Sequence, residues 1–276
     1  MWETGLGRYD GFSIRFRQLC QLMFPRRCPF CGRVLGFEPR CPDCERQLAL
    51  VARPKTTAAA RRPEGMEGAP ILWAAAPYWH EGVLRQGILR AKYQGQPWTA
   101  VQLGCLLARA LFGAEIQVKA GVEVPRPPLS PLTDCDLVVP VPYSGRERPY
   151  NVPSLMALPL ARALGIQPDL QALQRLTVGS AQVTLGRQER LLHVMGNFRA
   201  DAERVSGRRV LLIDDVVTTG STAAACAQAL AAAGAESVAF AALAAPRSNS
   251  GLPAVPGLPF EAEEEEAPAE DEELDF

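Results

Sequence analysis

Short apolar runs alternate with amphipathic stretches along most of this chain. Val210-Leu211-Leu212-Ile213 has no polar interruption and reads as a strand buried on both faces, which means a parallel sheet. Residues 136–142 read the same way, and 71–78 and 237–243 supply further strands. Between them, apolar positions at helical spacing predict helices over 80–93, with Val83, Ile88 and Leu89 inward, and over 98–112. A third helix spans 154–164, where Pro159 predicts a kink or a break. A fourth, rich in Ala, starts at about residue 223. Strands alternating with helices predict an α/β fold with a mostly parallel sheet.

The remaining stretches are less regular. Residues 12–24 carry a short amphipathic helix, and 121–133 is a proline-rich loop. Residues 174–197 hold Arg175, Gln182, Arg187, Arg190 and His193 among few large apolar residues, the character of a mobile arm. Phe198 returns to the sheet, and Ser206-Gly207 forms a turn before the central strand.

That central strand ends in Asp214-Asp215, followed by Val216-Val217-Thr218-Thr219-Gly220-Ser221-Thr222 and a helix. Each part suits a sugar phosphate. The N-terminus of a helix offers backbone N–H groups and a positive dipole end to a phosphate. The hydroxyls of Thr218, Thr219, Ser221 and Thr222 can donate to its oxygens, and Gly220 lets the backbone approach. Adjacent carboxylates can accept from two ribose hydroxyls and help hold Mg²⁺. No Gly-Lys-Ser/Thr phosphate loop occurs. The stretch resembles the phosphoribosyl pyrophosphate (PRPP) motif of type I phosphoribosyltransferases. Beyond residues 136–142 the turn of Tyr143 and Ser144 is placed to take the pyrophosphate end.

Cys28-Pro29-Phe30-Cys31 and Cys41-Pro42-Asp43-Cys44 are two knuckles nine residues apart. Each Cys-x-x-Cys turn aims two thiolates at one point, and two such turns complete a tetrahedral structural Zn²⁺ site. Thioredoxin-like redox motifs open a helix in a βαβ setting, and nothing similar surrounds these. Cys20, Cys105, Cys135 and Cys226 lie in apolar contexts and read as packing residues. Arg26, Arg27, Arg33 and Arg40, interleaved with Phe30 and Phe37, offer charge and stacking faces to single-stranded DNA.

Charge refines the picture. Ten of the 30 acidic residues fall in 261–276, leaving 29 Lys+Arg against 20 Asp+Glu in a basic body with an acidic tail. There is no apolar run long enough to span a bilayer and no signal-peptide pattern, so a cytoplasmic protein without membrane insertion is expected. The expected organisation is a helix and zinc module over 1–52, a linker over 53–70, the α/β domain over 71–246, and a Pro/Gly-rich, acidic, disordered tail over 247–276.

With both features in order, residues 12–245 resemble the ComF family of competence-associated proteins. The resemblance is carried by Lys92-Tyr93-x-Gly95, Val139-Pro140-Val141-Pro142, Arg148-x-Tyr150-Asn151, Gln182, Arg187, Arg190, Gly196-x-Phe198 and the Asp-Asp-Val-Val-Thr-Thr-Gly core. It departs from the family at Pro149 and Tyr150, where Gly and Phe are usual, and at His193, where Asn is expected. The resemblance implies a type I phosphoribosyltransferase-like fold and a role in natural transformation. Asp214, Asp215, Lys92, Arg187 and Arg190 would be the reactive-site residues, and Tyr143, Ser144 and Val217 to Thr222 the phosphate contacts. Three functions follow: binding of PRPP or a nucleotide 5′-phosphate with Mg²⁺ while handling single-stranded DNA; phosphoribosyl transfer to an unidentified acceptor; and a scaffold whose acidic tail recruits partners. A DNA-uptake helicase and recombination proteins are the candidate partners.

Overall fold

The structure, a computed structural model, describes residues 25, 27–36, 38, 40–53, 64–119, 122–143, 149–176 and 197–249. The helix expected over 12–24, the arm over 177–196 and the acidic tail lie outside these residues.

Among the described residues the core is a six-stranded parallel sheet. Its central strand β9 (Arg209–Val216) lies between β10 (Ser237–Ala245) and β5 (Leu137–Pro140). Short β6 (Gln167–Pro168) extends the β5 edge. At the other edge the stretch 71–78, expected as one strand, is two pieces, β1 (Ala74–Ala75) and β2 (Tyr78–Trp79), both parallel to β10. The break falls at Ala76-Pro77. Pro77 has no N–H for a ladder, and Arg53 takes both carbonyls there: its N–H donates to Pro77 and its guanidinium to Ala76.

Side chains of β9 alternate between two cores. Leu211 and Ile213 face α2 (Gly82–Tyr93), α3 (Pro97–Phe112), α4 (Val152–Leu164) and the cysteine knuckles. Val210 and Leu212 face α6 (Ser221–Ala232) and the residues around Met66. Both faces are thus covered, as an all-parallel sheet requires. Ahead of this domain, α1 (Pro42–Leu50) begins inside the second knuckle, with Cys41 as its N-cap and Cys44 in its first turn, so that knuckle opens a helix, though not within a βαβ unit. Two small antiparallel strand pairs accompany the sheet: β3 (Ile116–Lys119) with β4 (Val122–Pro125), and β7 (Leu173–Arg175) with β8 (Phe198–Ala200). The first occupies part of the expected proline-rich loop. The second takes Phe198, which returns to β7 rather than to the main sheet. A one-turn helix, α5 (Ala202–Val205), precedes the Ser206-Gly207 turn.

Two local expectations differ from the structure. Helix α4 runs through Pro159 without ending. Pro159 packs against Gly104 of α3, where a Cβ would stand 2.8 Å from the proline ring, so close helix–helix contact offsets the lost hydrogen bond. The second is 64–70, which reads as linker by composition. Residues Glu64–Met66 form a 3₁₀ turn, and Met66 is completely buried. No helix of the described residues is long and apolar enough to cross a membrane.

Candidate functional site

Strand β9 delivers Asp214 and Asp215 to the carboxyl end of the sheet, and α2 delivers Lys92 to the same place. Lys92 Nζ lies 2.8 Å from Asp215 Oδ2, and the Asp215 side chain is 5% exposed. Asp214 is half-buried, and its Oδ1 accepts the Asp215 N–H at 2.8 Å. Burial, and then the charge of Asp215 beside it, push the Asp214 carboxyl well above its ordinary value, with Lys92 acting in the opposite sense. A cavity of 290 Å³ is lined by Lys92, Tyr143, Asn151, Arg175, Asp214 and Asp215. A second, of 340 Å³, shares Pro142, Tyr143 and Asn151 with it.

Beyond the carboxylates the chain turns into α6. Gly220 caps that helix at φ +83°, a conformation that suits glycine, and a Cβ there would stand 2.5 Å from Met66 Cγ. Gly65 N–H donates to the Thr219 carbonyl at 2.9 Å, so the 64–66 turn holds the loop from behind. Thr218, Thr219 and Thr222 are exposed, and Ser221 is half-buried with its Oγ 3.1 Å from Thr219 Oγ1. Val217 is different: it is buried, and its N–H donates to the Ala244 carbonyl. Its part is to anchor the loop. Ser144, Arg187 and Arg190 lie outside the described residues.

Three residues at this end are not among the site residues expected from sequence. Asn151 Nδ2 donates to the Val141 carbonyl at 2.8 Å and to Ser154 Oγ at 2.9 Å, tying the turn after β5 to α4. An Asn just before a helical pattern was its available signal. Arg175, read only as part of the arm, lines the cavity with its guanidinium 5.3 Å from the centre of the Phe198 ring. His80 donates its backbone N–H to Ala245, and its Nε2 is buried without a hydrogen-bond partner among the described residues. Burial, then the charges of Lys92 and Arg85, lower its pKa, while Asp215 acts to raise it. No local pattern marked it.

The four cysteines converge. The Sγ atoms of Cys28, Cys31, Cys41 and Cys44 all lie within 4.8 Å of one another, with Cys31 and Cys41 at 3.9 Å. Thiolates at about 2.3 Å from one tetrahedral zinc ion stand at about this mutual distance, so the donor set fits such an ion. The knuckles are built by backbone turns. Cys28 N–H donates to Arg33, Gly32 N–H to Cys28, and Glu45 N–H to Cys41. Burial pushes the Cys44 thiol up, an opposing cost that a bound cation would relieve. Cys105, Cys135 and Cys226 are buried packing residues, as expected.

The arginines expected to meet DNA are largely engaged within the chain. Arg33 pairs with Asp43 at 3.0 Å, and Arg40 with Glu123 at 2.9 Å and Glu45 at 3.1 Å. Arg27 is exposed and donates to the Gly32 carbonyl. Phe30 is 8% exposed, with its ring packed against Gly87 of α2, so it offers no stacking face to solvent. Arg26 and Phe37 lie outside the described residues.

Residues 155–255 match the phosphoribosyl transferase domain family. DNA utilization protein YhgH of Salmonella typhi is 32% identical over 140 residues, covering 50% of this chain and 58% of the relative. Its namesake in Escherichia coli K12 is 38% identical over 106 residues, covering 37% and 46%. In these matches the chain resembles the ComF family. It places a four-cysteine module ahead of a phosphoribosyltransferase-like α/β domain. The chain spans about half the length of the relatives it matches. Solved structures give distant likenesses. The allosteric regulatory enzyme of purine biosynthesis is 23% identical with a TM-score of 0.35, covering 52% of this chain and 25% of its own. Glutamine PRPP amidotransferase from B. subtilis, complexed with ADP and GMP, is 20% identical with a TM-score of 0.36, covering 68% and 32%.

Proposed function

We propose that this chain, a member of the ComF family, binds PRPP, or a nucleotide 5′-phosphate, together with Mg²⁺ at the Asp214–Asp215 end of the sheet, and handles single-stranded DNA in the cytoplasm. The observation that carries the first half is one ammonium between two carboxylates. Lys92 pairs with Asp215, and Asp214, with no ion pair of its own among the described residues, is left for a cationic or hydroxyl-bearing ligand to satisfy. Asp214 and Asp215 accept the ribose hydroxyls. The Thr218, Thr219, Ser221 and Thr222 hydroxyls and the first turn of α6 take the 5′-phosphate. Lys92 and Arg175, with Arg187 and Arg190 of the arm, face the pyrophosphate, and Tyr143 and Ser144 flank it. The carboxylate pair fits a hard cation, and Mg²⁺ held there with the ligand's own oxygens would neutralise charge on the pyrophosphate.

The DNA half is supported by the relatives, which are named for DNA utilization. Exposed Arg27 and Arg33 remain candidates for phosphate contacts, the latter sharing its charge with Asp43. Such binding falls steeply with salt.

The test is calorimetric titration of the zinc-loaded full chain with PRPP and Mg²⁺, beside Asp215→Asn. Saturable heat in the wild type that disappears in the variant supports the reading. A well-folded, zinc-loaded wild type that gives no heat overturns it. Phosphoribosyl transfer is the second reading, favoured by the neighbouring 340 Å³ cavity that an acceptor would need. Radiolabelled PRPP consumed in the presence of a pool of bases and amines, and not by Asp215→Asn, would establish turnover.

A further inference from the structure

Lys92 sits in the last turn of α2, so its aim at Asp215 is set by whatever fixes that helix. The cysteine module supplies much of the grip. At the start of α2, Gly82 lies against Val51, with a Cβ position 3.4 Å from Val51 Cγ1. In the middle, Gly87 leaves a notch that the Phe30 ring fills, where a Cβ would stand 2.7 Å from Phe30 Cδ1. Three residues on, and on the same face, the Arg90 guanidinium reaches the first knuckle at Gly32. A fourth hold comes from the domain itself. The Tyr150 hydroxyl donates to the Ala91 carbonyl at 2.8 Å, one residue before Lys92.

Phe30 lies between two of the converging thiols, Cys28 and Cys31. An ion bound by the four cysteines would therefore fix the ring that fills the α2 notch. The buried knuckle residues Cys28, Phe30, Leu35, Cys41 and Cys44 share one apolar cluster with Val83, Leu84, Ile88 and Ala91 of α2. Module and helix are packed as a single body, and a packed contact of this kind transmits displacement rather than absorbing it.

We infer that the four-cysteine module is a working part of the phosphoribosyl site: Phe30 and Tyr150 are positioning residues that hold α2 so that Lys92 meets Asp215. The inference rests on the PRPP reading for its ligand and on the geometry for its mechanism.

The zinc-loaded full chain tests it by two readouts, with zinc content measured on every variant. Phe30→Leu and Phe30→Ala are expected to retain zinc yet speed amide exchange over residues 88–93. Each should weaken PRPP–Mg²⁺ binding by about tenfold, a coupling of ordinary size for contacting residues. Tyr150→Phe should act in the same direction with a smaller loss. Lys92→Ala should also weaken binding, and combining it with Phe30→Leu should add little. Unchanged exchange over 88–93 in zinc-loaded Phe30→Leu overturns the inference. So do losses that simply add, because Phe30 would then act elsewhere. A wild type that binds no PRPP refutes the proposed function, and the exchange result then decides the positioning role alone.

Discussion

Lys92 Nζ stands 2.8 Å from Asp215 Oδ2, while Asp214, the neighbouring residue, accepts the backbone N–H of Asp215. One cation thus serves two carboxylates, and burial, then the charge of Asp215 beside it, raise the pKa of Asp214. A carboxyl whose folded pKa is raised contributes stability at acid pH and loses it as pH rises through that value. Above the ordinary carboxylate range Asp214 therefore weakens the empty protein. Asp214→Asn should raise the melting temperature of the ligand-free chain and abolish the further rise that PRPP and Mg²⁺ give the wild type. Thermal melts with and without PRPP and Mg²⁺ check both parts. A lower melting temperature for the empty variant would sink the account.

Gly65 and Gly220 are the second test. A Cβ on Gly65 would stand 2.5 Å from the Thr219 carbonyl oxygen and collide with Ser221 Oγ. Gly65→Ala must therefore displace the loop from behind, and PRPP affinity should fall more than global stability. Gly220→Ala places a side chain at φ +83° and against Met66, so it should also cost about 1–2 kcal/mol of stability. Paired urea melts and PRPP titrations separate the two effects. Full PRPP affinity in Gly65→Ala would show that the turn does not shape the loop.

The parts of the fold visible in the sequence are those whose causes are local. β9 was legible because four apolar residues run directly into Asp214-Asp215, and the knuckles because Cys28, Cys31, Cys41 and Cys44 carry their own turn chemistry. What was hidden depends on partners distant along the chain. Met66 is the large apolar residue of a Gly- and Glu-rich stretch, and only Gly220 shows why it is buried. Phe30 looks like a stacking face until Gly87 is seen to receive it, and Pro159 looks like a helix breaker until Gly104 is seen against its ring. His80 begins a helical pattern in sequence, yet it stands just past β2 with its Nε2 buried near the site. Periodicity reports a residue's own face, and these residues are defined by another element's face.

Metal removal should be felt beyond the knuckles. Three of the four thiols, those of Cys28, Cys41 and Cys44, are packed into the cluster that includes α2, so chelation leaves buried sulfurs there without the ion that ties them together. Treatment with a zinc chelator should lower the melting temperature of the whole chain, and Cys44→Ser should do the same without chelator. Readdition of Zn²⁺ should restore the wild type and not the variant. A melt that ignores both zinc and Cys44→Ser would mean that the cluster holds no structural metal.

At the opposite end of the sheet, Asp136 and Arg209 join the starts of β5 and β9. Asp136 Oδ1 accepts from Arg209 Nη2 at 2.8 Å, and Oδ2 accepts from the Arg209 Nε and backbone N–H at 3.1 and 3.0 Å. These hydrogen bonds hold the Asp136 carboxyl down at about 2, against an ordinary 3.8. For a depressed carboxyl the stabilisation is complete above the ordinary value and is lost as pH falls through the folded one. The wild type should therefore exceed Asp136→Asn in stability at about pH 5, with the gap narrowing below about pH 4 and nearly closed at about pH 2. Urea unfolding of both proteins across that range measures the gap. A difference that stays constant with pH would mean that the pair acts through packing and not through charge.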